Sequence, residues 1–178
     1  PLFADIVLVD EINRTGPKTQ SALLQAMEEN AVTIDRETYP LPEGFFVIAA
    51  QNPHDFEGTF PLPESQLDRF LLRLVMDYPS ADKEEQVLRK YNNPGGGHDF
   101  NPDSIPKLDK TLIKQAQQSV ESIFVSDAIY QYIRQIAYTT RHHPRINLGL
   151  STRGALALIR CARVQAALDD QAFVTPDN

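Results

Sequence analysis

The sequence predicts an α/β half followed by an all-helical half, with the boundary at Pro79/Ser80. Up to about Tyr78, apolar runs of strand length alternate with helically spaced residues and turn signals. Beyond Pro79 the apolar residues recur only at helical spacing. Within this second half, the stretch from Asn92 through Pro94, Gly95, Gly96 and Gly97 to Pro106 is dense in helix breakers and reads as a mobile connection.

The elements follow in order. Ile6 to Val9 and Phe45 to Ala50 are apolar without alternation, the pattern of strands buried on both faces of a parallel sheet, and Leu71 to Met76 is a third candidate. Between the first two, Lys18 to Asn30 places Leu23, Leu24 and Met27 at helical spacing, with Asn30 as the stop. Val32 and Ile34, then Tyr39 and Leu41, alternate with polar residues around Asp35-Arg36-Glu37, which predicts a half-exposed β-hairpin. A short helix is expected over Glu64 to Asp68, leading into the third strand. In the second half, helices are predicted from Ser80 to near Tyr91, around Lys110 to Ile123, from Ser126 to Arg141, and from Ser151 to about Leu168. The third of these has Ile129, Tyr132, Ile133 and Ile136 on one face.

Charge and composition narrow the function. Seventeen Lys and Arg against 24 Asp and Glu give a net charge of −7, which argues against a broad nucleic-acid surface. Cys161 is the only cysteine, so no internal disulfide and no cysteine-built zinc cage can form; amid Ala and Ile in a predicted helix it reads as a small buried residue. No apolar run reaches the roughly 18 to 20 residues of a membrane span, and no signal-like segment opens the chain, so the cytoplasm is the default expectation. The chain enters a strand pattern within a few residues of Pro1, without an initiator Met, and a fragment is expected. His142-His143 and His54-Asp55 lack the spacing of a metal site and read as surface residues.

Four stretches carry residues suited to chemistry. Ile6 to Glu11 is a strand that delivers two adjacent carboxylates at its C-terminal end, the edge where ligands sit in parallel sheets. Asp10 suits a Mg²⁺ shell and Glu11 suits activation of a water, although ordinary strand-ending acids read the same way. Phe45 to Asn52 repeats the pattern with a terminal amide, and Pro53 stops the ladder; Asn52 could orient a water or phosphate oxygen, or simply open a turn. Arg69 lies between apolar neighbours after the short helix, suited equally to a phosphate and to a salt bridge with Asp68 or another acid. Ser151 is an N-cap candidate, and Arg153 in the first turn behind it opposes the helix dipole, as a guanidinium answering an external anion would.

Taken in order, these stretches resemble the AAA+ ATPases, most closely the MoxR family. LVDEINR is similar to the Walker B strand and its continuation, AAQNP to sensor 1, EGTFPLPESQLDRF to the arginine-finger segment, and LGLSTR to sensor 2. The hairpin at Ala31 to Leu41 is similar to the pre-sensor-1 insertion of this branch. The resemblance implies a partial AAA+ parallel-sheet core over residues 1–79, followed by an all-helical lid domain over 80–178. By the same resemblance Asp10 would bind Mg²⁺, Glu11 would be the catalytic base, Asn52 would position the water, and Arg153 would touch the γ-phosphate of ATP. Arg69 would act on a neighbour's nucleotide, which implies self-association into a ring, usually a hexamer. The implied activity is ATP hydrolysis coupled to chaperone-like remodelling or maturation of protein clients, often ones with von Willebrand factor A domains.

The chain departs from the family pattern in two places. Leu150 and Thr152 stand in variable sensor 2 positions, with Gly154 after the Arg. None of the 8 glycines is followed by Lys, so the Walker A loop that cradles phosphates is missing, and Gly16-Pro17-Lys18-Thr19 has the wrong spacing. In the resembling fold the P-loop strand lies between the sensor 1 strand and the strand after the finger, so a central strand would be absent. Unpaired groups there would cost about 1 to 3 kcal/mol each. The C-terminus stops where Pro176 would begin another family helix. The chain alone is therefore expected to be inactive as an ATPase. Two alternatives remain: a non-catalytic module binding a partner through its hairpin and helices, and a nucleic-acid motor. Against the motor, Arg36 sits between Asp35 and Glu37, leaving the hairpin tip net acidic.

Overall fold

The computed structural model describes residues 2–52, 58–92, 101 and 104–178. Pro53, His54 and Asp55, and most of the connection expected from Asn92 to Pro106, lie outside them. The chain forms two compact units, residues 1–71 and 72–178.

The first unit is α/β. Strand β1 (Ile6–Val9) pairs in parallel with β4 (Phe46–Ala49), Ile6 opposite Phe46 and Val9 opposite Ala49. Between them run helix α1 (Pro17–Glu29) and the antiparallel strands β2 (Ala31–Ile34) and β3 (Glu37–Pro40). Proline opens α1, where its missing N–H costs nothing, and Asn30 closes it in the left-handed conformation at φ 50°. The hairpin register places Ile34 opposite Glu37, leaving Asp35 and Arg36 as a two-residue turn with φ 49° and 74°. Positive φ at both central residues gives the turn whose twist matches its strands.

One face of the β1–β4 pair packs on α1. Val7, Val9, Val47 and Ala49 meet Leu23, Leu24 and Met27, joined by Ile12, Leu62 and Phe70. The other face differs from expectation. Ile6, Leu8, Phe46 and Ile48 are exposed, so the strands are not buried on both faces among the described residues. Alternation of side chains across the sheet puts every second residue on that face, and no described element covers it. The third predicted strand, Leu71 to Met76, does not form. Among the described residues no strand pairs with it to complete a ladder, and Leu72 and Met76 are 67% and 89% exposed. The short helix before it is present as α2 (Glu64–Leu67).

The second unit is helical: α3 (Ala81–Asn92), α4 (Lys110–Glu121), α5 (Asp127–His142) and α6 (Thr152–Leu168). Three begin on side-chain caps. Asp109 accepts from the Thr111 N–H, Ser126 from Ile129 and Ser151 from Gly154. Helices α4 and α5 both pack on α6. The core joins Ile129 and Ile133 of α5 to Ala162 and Ala166 of α6, with Ile123, Val125 and Val174. The buried stripe of α5 is Ile129, Ile133 and Ala137, so Tyr132, expected on it, stands half-exposed at the flank. On α6 the stripe runs through Ala162 and Ala166, which leaves Cys161 half-buried instead of buried. Phe124 and Phe173 form a parallel bridge closed by Phe124 N–H to Ala172 and Val174 N–H to Phe124.

Candidate functional site

The parallel register brings two of the sequence-predicted clusters to one sheet edge. Asp10 and Glu11 leave the C-terminal end of β1, and Gln51 and Asn52 leave that of β4. The ladder continues irregularly past the strands. The Ala50 N–H donates to Val9 at 2.8 Å, and the Ala50 carbonyl accepts from Ile12 at 2.9 Å. A regular parallel ladder would return that second bond from residue 11, so one extra residue is inserted here. Glu11 absorbs it with φ 46° and ψ 53°, a left-handed backbone that costs a non-glycine residue about 1 to 3 kcal/mol. Residues Ile12–Arg14 then form one 3-10 turn. Arg14 Nε lies 3.2 Å from Glu11 Oε2, with both side chains well exposed. Asp10 is exposed and forms no ion pair among the described residues.

Buried polar side chains hold this edge together. Asn13, 4% exposed, donates from Nδ2 to the Asn52 carbonyl at 3.0 Å, tying the turn after β1 to the loop after β4. Its Oδ1 is buried and accepts nothing. Gln20, 3% exposed, donates from Nε2 to the carbonyls of Ile12 at 3.1 Å and Phe60 at 2.8 Å. The Phe60 N–H returns a bond to the Asn13 carbonyl. The acidic turn, the amide loop and the segment leading to α2 therefore share one network. Sequence reasoning missed both residues. Gln20 carried a readable signal, because it lies on the Leu23, Leu24 and Met27 stripe, where a polar residue must be buried and bonded; Asn13 carried none.

Arg69 follows α2 and pairs with Glu28 in the last turn of α1, Nη1 to Oε2 at 2.9 Å. The salt bridge anticipated as one alternative is present, with Glu28 as partner. Glu28 was not foreseen. Arg153 lies in the second unit, exposed in the first turn of α6. Its helix is positioned by a clamp on Leu150: the Leu150 N–H donates to Thr140 Oγ1 at 3.0 Å, and Arg141 Nε donates to the Leu150 carbonyl at 2.8 Å. Gly149 lies so close to Arg141 that a Cβ there would stand 2.5 Å from its Cα.

The donor set suits Mg²⁺, which prefers hard oxygen ligands and retains several waters; Asp10 offers an exposed carboxylate, with the Glu11 carboxylate and Asn52 amide at the same edge. Among the described residues no group of three or more His, Cys, Asp or Glu side chains forms a metal site, and His142 and His143 are exposed. No described helix is long and apolar enough to cross a membrane.

A parallel pair ending in adjacent acids and an amide, followed in sequence by a capped helical unit, defines an AAA-type ATPase core and lid. Family comparison agrees: residues 1–72 match the ATPase family associated with various cellular activities (AAA), and residues 138–178 match the AAA lid domain. The chain belongs to the MoxR family of AAA+ ATPases. It is 33% identical over 187 residues to the chaperone MoxR1 of Mycobacterium tuberculosis, a match covering 100% of this chain and 48% of that protein. It is 47% identical over 178 residues to the uncharacterized protein YeaC of Bacillus subtilis, covering 100% of this chain and 54% of that protein. The crystal structure of a candidate ATPase from Cytophaga hutchinsonii superposes with a TM-score of 0.86 at 34% identity, covering 99% of this chain and 55% of that one. The chain thus spans about half the length of the curated relatives it matches.

Proposed function

We propose that this chain forms the Walker B, sensor and lid portion of an ATPase that couples Mg²⁺-dependent ATP hydrolysis to remodelling or maturation of client proteins. Residues 1–79 act as core and 80–178 as lid. The observation that carries the reading is the shared edge of β1 and β4: one bulged strand end presents Asp10 and Glu11, and Asn13 ties it to Asn52.

Asp10 holds the metal, with Asn52 beside it at the strand ends. Bound Mg²⁺ would neutralise charge on the β- and γ-phosphates. Glu11 accepts a proton from the attacking water, and Asn52 orients that water by hydrogen bonding. Arg153 contacts the γ-phosphate from the lid. Arg69 serves a neighbouring subunit's nucleotide, a contribution of about 10³ to 10⁵ in rate for fingers supplied in trans, and this makes a ring, with six subunits as the family pattern, the active form. The phosphate-cradling loop comes from sequence outside this chain, and the apolar face of Ile6, Leu8, Phe46 and Ile48 suits packing against such added structure. The name of the relative MoxR1 supports a chaperone role; clients bearing von Willebrand factor A domains and a cytoplasmic location complete the proposal.

Steady-state ATP turnover with Mg²⁺ tests the reading, using the full-length protein with its native P-loop beside the same protein carrying Glu11→Gln. Loss of turnover by at least a hundredfold, with folding retained, is expected. Equal turnover in the two would overturn the assignment.

A further inference from the structure

Glu28 has no role in the reading above, yet it holds Arg69. The pair is partly exposed, Arg69 at 31% and Glu28 at 46%. Arg69 Nε is buried and donates to nothing, and the nearby Gln66 Oε1 is buried and accepts nothing. A guanidinium offers five N–H donors in a rigid fork, so an orphaned Nε shows that one carboxylate does not satisfy this cation where it rests.

These groups line an open depression of about 330 Å³ between α1 and α2, whose wall also carries Glu29 and Gln25. Among the described residues, two carboxylates, Glu28 and Glu29, and one guanidinium line it, and Glu28 is the one paired with Arg69. The last turn of α1 contains no basic residue of its own, so Arg69 also supplies the cation that its carbonyl end favours. The same features that hold Arg69 therefore repel an approaching phosphate.

We propose that Glu28 is a positioning residue that latches Arg69 against the C-terminal end of α1, and that Arg69 reaches a neighbour's γ-phosphate only after this ion pair opens. The inference rests on the reading of Arg69 as a finger. A part-exposed pair of this kind is weak, whereas a triphosphate offers more negative charge and several acceptors to the same fork. The latch sets the resting position and yields when a nucleotide-loaded neighbour arrives. Its function is to keep the finger from serving anions outside the assembled ring.

The test is ATP turnover of the full-length protein below saturating protein concentration, in wild type, Glu28→Gln, Glu28→Ala, Arg69→Ala, the Glu28→Gln/Arg69→Ala double variant and Glu11→Gln. Both Glu28 variants are expected to raise turnover about two- to fivefold. That advantage should shrink as salt screens the wild-type pair, and Glu28→Gln should add nothing once Arg69 is gone. A gain of this kind separates a latch from a merely structural bridge, whose loss would only lower activity. Turnover at or below wild type in both Glu28 variants, with Arg69→Ala strongly impaired, overturns the latch and leaves the ATPase reading intact. Unchanged turnover in Arg69→Ala, with Glu11→Gln inactive, overturns the finger and the latch with it. Unchanged turnover in Glu11→Gln overturns the ATPase reading itself.

Discussion

Asn13→Ala separates the wiring of the site from the stability of the fold. The wild-type side chain donates one bond, to the Asn52 carbonyl at 3.0 Å, and keeps one buried acceptor unsatisfied. Removing the bond costs about 1 kcal/mol, and removing the orphaned Oδ1 returns about 1 to 3 kcal/mol of desolvation. Truncating a buried side chain opposes that gain by about 1 to 2 kcal/mol of lost packing. The terms nearly cancel, so the net change in stability is expected within about 1 kcal/mol. Function does not cancel in the same way, because the Asn52 loop loses its tether to the turn that carries Glu11. Turnover of the full-length protein should fall by about tenfold or more, since displacements near 1 Å suffice for losses of that order. Native-state hydrogen exchange at the Ile12 and Ala50 amides, which close the ladder beside the site, reports local stability independently of the second unit. A loss above about 3 kcal/mol at those amides, or unchanged turnover, would refute this account of Asn13.

Two further predictions concern the helical unit. Gly149→Ala should destabilise it by about 1 to 3 kcal/mol, because the added Cβ meets backbone of Arg141 that cannot swing aside; thermal unfolding of the variant checks this, and an unchanged midpoint would show that the loop before α6 gives way freely. Asp109 is held below the usual carboxylate range, chiefly by the Thr111 backbone N–H bonded to it, then by the Thr111 side chain, against a smaller opposing effect of burial. Its folded value is depressed, so the cap's contribution is complete above the unfolded value of 3.8 and is lost as pH falls through the folded one. Protection of the Thr111 amide should follow that fall in wild type and stay flat in Asp109→Asn, which caps without titrating.

Much of the fold was legible because local chemistry and tertiary structure agree. Asn30 both ends the α1 stripe and tolerates the left-handed conformation the chain adopts there. Ser151 was readable as a cap because a cap satisfies donors within three residues, a contact sequence spacing encodes directly. The hairpin was legible in the same way, its alternation breaking at Asp35 and Arg36, where the turn lies. Pairing with distant groups was less accessible. Leu71 to Met76 has the composition of a strand, but a strand requires a neighbour's donors and acceptors, and composition does not say whether one is beside it. Apolar runs without alternation predicted two covered faces in β1 and β4; the residues suit both, and only one face meets a described helix. Glu28 and Asn13 were invisible because their partners lie 41 and 39 residues away, at distances that no periodicity connects.

The bulge at Glu11 shows how the candidate site gets its geometry. In a regular parallel ladder, successive residues of β1 would point to opposite faces, and the residue pairing with the Ala50 carbonyl would be Glu11. Its backbone N–H would then be spent on the sheet and its side chain aimed along the strand's alternation. Passing that bond to Ile12 frees Glu11 from the ladder, and the left-handed backbone turns its carboxylate at the sheet edge independently of Asp10. Under the proposed function, two adjacent acids can then serve different atoms, Asp10 a metal and Glu11 a water. The strain persists because Asn13, Gln20 and the Ile12 amide fix the chain immediately after it. Glycine at position 11 would relieve the left-handed strain at the cost of the carboxylate. Retaining glutamate in that conformation is what a site requires when the side chain, more than the turn, carries the function.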